Sequence, residues 1–133
     1  MSPPLTWTAG PTGTMAYAIT LTDLNNGYIH WILWDLPAST MSLPANLAKT
    51  ATLTDPAGAK QVALQNNGYF GPCPNGTQHT YQFQVYAIDV ATIPGVTTQS
   101  TANNRTAVLD AVMSHKVSPT AFGLLTGVSS ARM

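Results

Sequence analysis

The sequence predicts a mainly β protein, an antiparallel β-sandwich that ends in one or two short C-terminal helices. Three runs, 15–24, 28–36 and 79–90, place apolar residues at every second position and are rich in β-branched and aromatic side chains, as half-buried strands require. Clear helical spacing follows them, in "TAVLDAVMSHKV" at 106–117. Strands first and helix last define the class.

In the first run Met15, Tyr17, Ile19, Leu21 and Asp23 share one face. In the second, His30, Ile32, Trp34 and Leu36 take one face while Ile29, Trp31 and Leu33 take the other. A strand that is apolar on both faces belongs in the middle of a sandwich. From Pro37 to Phe70 the chain reads as loop, punctuated by Pro44, Pro56, Gly58 and the Asn66-Asn67-Gly68 turn signal. The third run sets His79, Tyr81, Phe83, Val85, Ala87 and Asp89 opposite Gln82, Gln84, Tyr86 and Ile88. The helix would bury Val108, Leu109, Val112 and Met113, with His115 near its C-terminus complementing the dipole. Ser118-Pro119 reads as an N-cap followed by proline at the first position of a second short helix. Trp7, Trp31 and Trp34 are expected in the core. The 133 residues fit one domain over 1–133, undivided by any linker.

Charged residues are only 8% of the chain, five basic against five acidic, for a formal net charge of zero. That argues against nucleic acid or an anionic membrane as partner, because both need a positive surface field. No apolar run approaches the roughly 18 residues of a membrane span. A surface rich in Thr, Asn, Ser and Gln suits a cytoplasmic protein or an exported one whose signal has been removed. All five acids are aspartates, so carboxylate chemistry must use Asp23, Asp35, Asp55, Asp89 or Asp110. The single Cys73 excludes an internal disulfide, and with His30, His79 and His115 it shows no ligand spacing. Neither a metal nor a cofactor is expected.

Polar residues interrupt the apolar faces at strand ends: Asp23 closes one, His30 opens another, and His79 with Tyr81 opens a third. An unpartnered buried carboxylate or imidazole is costly, so such residues need each other, a ligand or water. If these ends meet, the aspartate can fix a histidine tautomer and leave the other ring nitrogen to a ligand. Beside them lies "GYFGPCPNGTQHTYQF", in which Pro72 and Pro74 stiffen a glycine-rich loop.

"SPPLTW", the "TD" that closes the first strand, "HWILWDLP" and "GPCPNGTQHTY", in that order, resemble the phosphatidylethanolamine-binding protein family, which includes Raf kinase inhibitor protein and bacterial and archaeal homologues. The resemblance runs from Ser2 to about Asp89 and more weakly to Gly127. It implies a β-sandwich with a C-terminal helix and a small pocket for phosphate or a phospholipid head group. Carried over by motif, the pocket residues are Asp23, Tyr28, His30, Gly71, Pro72, His79 and Tyr81. The implied function is binding of a small anion or phosphorylated molecule, with a kinase or protease as a protein partner. The alternative is an enzyme in which Asp23, His30 and His79 perform acid–base chemistry, a cyclisation, isomerisation or hydration, in an apolar cavity made by Trp31 or Trp34 and Phe70.

The chain departs from the family pattern at Leu24 and Asn25, where a proline and a second aspartate are usual, and at Thr80, where arginine is common. Members also carry one or two strands before "SPPL". Their absence is expected to reflect either a trimmed chain or a homodimer that pairs across the exposed sheet edge.

Overall fold

The computed structural model describes residues 2–64, 67–69, 79–117 and 123–129, with the backbone alone at His79 and at 123–129. Its elements are β1 (Leu5–Thr6), β2 (Ala16–Asp23), β3 (Ile29–Pro37), β4 (Ser42–Leu43), β5 (Thr52–Thr54), β6 (Ala57–Ala63), β7 (His79–Ile88), α1 (Ala102–His115) and β8 (Gly123–Ser129). The main sheet is antiparallel with strand order β5-β6-β3-β2-β7-β8, and β1 pairs with β4 in a separate two-stranded sheet.

β2 and β3 lie inside the sheet because they are apolar on both faces, and each face is covered. On one, Tyr17, Ile19, Leu21, Trp31 and Leu33 pack with Leu5, Trp7 and Leu43 from the small sheet and its flanks. On the other, Ala16, Ala18, Ile32, Trp34 and Ile88 pack under Val108 and Val112 of α1. The helix starts where Thr101 accepts a hydrogen bond from the Asn104 amide at 3.1 Å, an N-cap of the expected chemistry. Its buried stripe is Val108 and Val112, with Leu109 and Met113 packed partly against the same cluster.

The expectations for β3 need correction at both ends. Leu21 pairs with Trp31 and Thr22 with Ile29, so one step along β2 spans two along β3 and His30 is the extra residue of a bulge. A second irregularity lies where Tyr17 pairs with Leu36 and Ile19 with Leu33, next to Asp35 at φ +58°. Each bulge reverses the alternation. Leu36 therefore joins Trp31 and Leu33, Ile29 joins Ile32 and Trp34, and His30 leaves the face that strict alternation assigns to it. Met15 likewise falls before β2 and is 52% exposed.

The span 37–70 is not simply loop, since β4, β5 and β6 lie within it. "AGAKQVA" in β6 carries little β-branched character, but its pairing with β3 buries Ala59, Val62 and Ala63. Nor does the helix end the fold: β8 follows and pairs with β7 along its length. The second helix expected at Ser118-Pro119 begins outside the described residues. Among the described residues no helix is long and apolar enough to cross a membrane.

Candidate functional site

The hairpin between β2 and β3 turns on side-chain oxygens. Asp23 Oδ1 accepts from the Asn25 amide at 2.9 Å, and Asn26 Oδ1 accepts from the Tyr28 amide at 2.9 Å. Gly27, at φ +77°, closes the turn by donating its amide to the Asp23 carbonyl at 2.8 Å. The turn is also tied to β7: the Thr80 amide donates to Asn25 Oδ1 at 2.7 Å, and the Leu24 amide donates to the Thr80 carbonyl at 2.8 Å. Leu24, Asn25 and Thr80, the positions where the chain departs from the family pattern, thus form one cross-link that fixes the end of β2 against the start of β7.

That cross-link sets the register in which Asp23 stands opposite Tyr81. Directly opposed residues on antiparallel strands share a face, so the carboxylate and the phenol are neighbours there. The bulge brings His30 to the same place, with its ring edge-on to Tyr81 at a centroid distance of 5.4 Å and an interplanar angle of 78°. Asp23, His30 and Tyr81 are 1%, 6% and 5% exposed. A carboxylate, an imidazole and a phenol therefore converge beneath the surface at one end of the sheet.

Behind them the face is aromatic. Tyr69 meets Trp31 edge-on at 5.3 Å and lies nearly parallel to Phe83 at 6.4 Å, so the chain is anchored on this face at Tyr69. Burial pushes its phenol above the ordinary tyrosine range. Gln61, fully buried, accepts from Trp31 Nε1 at 3.0 Å and donates through Nε2 to the Ala48 and Thr50 carbonyls at 2.6 and 2.8 Å. Asn67 Nδ2 donates to the carbonyls of Gln61 and Thr98. Of the two tryptophans expected behind the site, only Trp31 lies on this face; Trp34 belongs to the helix-side cluster.

Tyr28 is placed differently from the buried group. It is 60% exposed and lines a groove with Ile29, Leu64, Ala102, Arg105 and Thr106, between the hairpin and α1. Gly71, Pro72, Phe70 and Cys73 lie outside the described residues, as does the His79 side chain, whose backbone pairs with Ser129. His115, given no site role by the sequence, forms a pair with Asp89 at 2.9 Å across the other end of β7. Among the described residues no three His, Cys, Asp or Glu side chains gather to hold a metal ion.

The profile of the phosphatidylethanolamine-binding protein family matches residues 1–125. The chain belongs to that family. It is 34% identical to the UPF0098 protein YbcL of Escherichia coli over 101 residues, which cover 70% of this chain and 55% of YbcL. It is 33% identical to the UPF0098 protein YbhB of the same organism over 100 residues, or 70% of this chain and 63% of YbhB. The matches thus span less than two thirds of these relatives' length. Among solved structures, that of E. coli YbcL, described as a new member of the mammalian family, superposes with a TM-score of 0.69 at 27% identity, covering 98% of this chain and 80% of YbcL. A family homologue from Chlamydia trachomatis gives 0.71 at 26% identity, covering 98% and 82%.

Proposed function

We propose that this chain binds a small anion, phosphate or a phosphorylated molecule, in a recess built on Asp23, His30 and Tyr81. The supporting observation is their convergence: three polar side chains from three strands, all buried, at the end of one otherwise aromatic face. His79, Gly71 and Pro72 would complete the walls and Tyr28 would stand at the rim. The imidazole of His30 and the hydroxyl of Tyr81 are the donors, and hydrogen bonds to an anion are stronger in a recess that excludes water. Asp23 repels an anion by itself. Its role is to hold the imidazole in the orientation, and on protonation the charge, that the anion needs.

A site of this kind on a neutral protein selects by geometry rather than by long-range attraction. It would suit a phosphorylated side chain or head group presented by a partner, which is how the family's kinase or protease partners would be engaged. Calorimetric titration of the full chain with phosphate and with sulfate tests the reading. Saturable binding of phosphate that is weakened by His30→Ala, in a variant with unchanged circular dichroism, supports it; wild-type affinity in that variant removes the imidazole from the site.

A further inference from the structure

The groove between the β2–β3 hairpin and α1 encloses about 420 Å³ and lies on the helix side of the sheet, apart from the buried face of Asp23, His30 and Tyr81. Ile29 and Leu64 give it apolar walls, Tyr28 presents an exposed aromatic ring at its mouth, and Ala102 and Thr106 contribute the exposed first turns of α1. Its charge comes from Arg105, which is half-buried. Nη1 of that guanidinium donates to the carbonyls of Ser100 at 2.7 Å, Leu64 at 3.1 Å and Ala63 at 3.4 Å. These bonds fix the plane of the guanidinium but do not neutralise it, and among the described residues Arg105 has no carboxylate partner. Neutral backbone acceptors thus hold a half-buried cation in a fixed place on the groove wall with its charge intact.

We infer that this groove is a second binding site, for a small organic carboxylate with an apolar body. The planar guanidinium matches a carboxylate edge, and its Nη2 and Nε make no bond to any described residue. Ile29, Leu64 and the Tyr28 ring suit an aromatic or branched apolar group. The volume lies in the range of sites that hold small organic molecules. Because Tyr28 stands both here and at the proposed rim of the anion recess, the two sites are separated by variants of other residues.

The test is a titration of the isotope-labelled full chain with sodium benzoate at constant ionic strength, followed by amide and arginine side-chain NMR. Benzyl alcohol serves as the neutral control. Saturable benzoate shifts centred on Gly27, Ile29, Ala102, Thr106 and the Arg105 Nε–H are expected, with a response to benzyl alcohol at least tenfold weaker. Thr106→Trp, at an exposed helix position, should fill the groove and cut benzoate affinity at least tenfold while leaving the amide spectrum folded. Arg105→Gln should do the same. Equal responses to benzoate and benzyl alcohol, full benzoate affinity in Thr106→Trp, or shifts centred on His30 and Tyr81 would each overturn the inference.

Discussion

The ring of His30 stands edge-on to that of Tyr81, and the contact exists because β3 holds one residue more than β2 at that point. Strict alternation would have sent the imidazole to the helix side with Ile32 and Trp34. The bulge instead delivers it to the face where Tyr81 is paired with Asp23. A local irregularity thereby decides which side chains can act together.

If these groups bind an anion, affinity should rise on acidification from about pH 7.5 to about pH 6, where histidine ordinarily gains its charge. Sulfate is the cleaner ligand, since its own charge does not change over that range. Calorimetry should find tighter sulfate binding at the lower pH, and equal affinities would exclude a titrating histidine.

Tyr81→Phe removes the hydroxyl and keeps the ring that meets His30. Loss of one charge-assisted hydrogen bond should weaken phosphate binding by about tenfold. A variant with lowered stability and undiminished affinity would assign Tyr81 a packing role only.

Gln61→Leu tests what organises the ground behind the site. The substitution leaves Trp31 Nε1 and the Ala48 and Thr50 carbonyls without their partner, at a cost of about 2–4 kcal/mol once rehydration of the outer carbonyls is allowed for. Urea unfolding followed by tryptophan fluorescence measures it. A change below about 0.5 kcal/mol would show that this network contributes little.

Asp35 makes two bonds from a left-handed backbone position, with Oδ2 accepting from Lys60 Nζ at 2.8 Å and Oδ1 accepting from the Ile93 amide at 2.9 Å. Asparagine tolerates that conformation and can keep the second bond, whereas alanine can do neither as well. Asp35→Ala should therefore lower stability by about 2 kcal/mol more than Asp35→Asn. Equal losses would place the whole effect in the ion pair.

At alkaline pH, burial raises the phenols of Tyr69 and Tyr86. A phenol whose folded pKa lies above its unfolded value stabilises the fold fully below the unfolded value, about 10, and that contribution is lost as pH rises through the folded value. The urea midpoint should fall above about pH 10, and fall less in Tyr69→Phe. An identical decline in the variant would remove Tyr69 from the effect.

The strands that carry the site were legible because β2, β3 and β7 bury both faces or alternate cleanly, so their periodicity survives in the residues themselves. β6 was not, because Ala57, Gly58, Ala59 and Lys60 have no intrinsic strand character and acquire it only by pairing with β3. β8 was hidden for a related reason, since "GLLTGVS" depends on β7 for its register. Asp23, His30 and Tyr81 could be singled out as polar residues ending apolar runs. The bulges that decide their faces belong to the pairing of two strands and leave no mark on either one alone. Arg105 carried no signal, because its place beside Leu64 and Tyr28 comes from docking α1 on the sheet.

The most direct measurement is a crystal structure of the full chain grown with phosphate. The expected result is a phosphate within hydrogen-bonding distance of the His30 imidazole and the Tyr81 hydroxyl, with Asp23 facing the imidazole rather than the anion. Phosphate held only at other residues, with that recess closed by the protein's own side chains, would contradict the account.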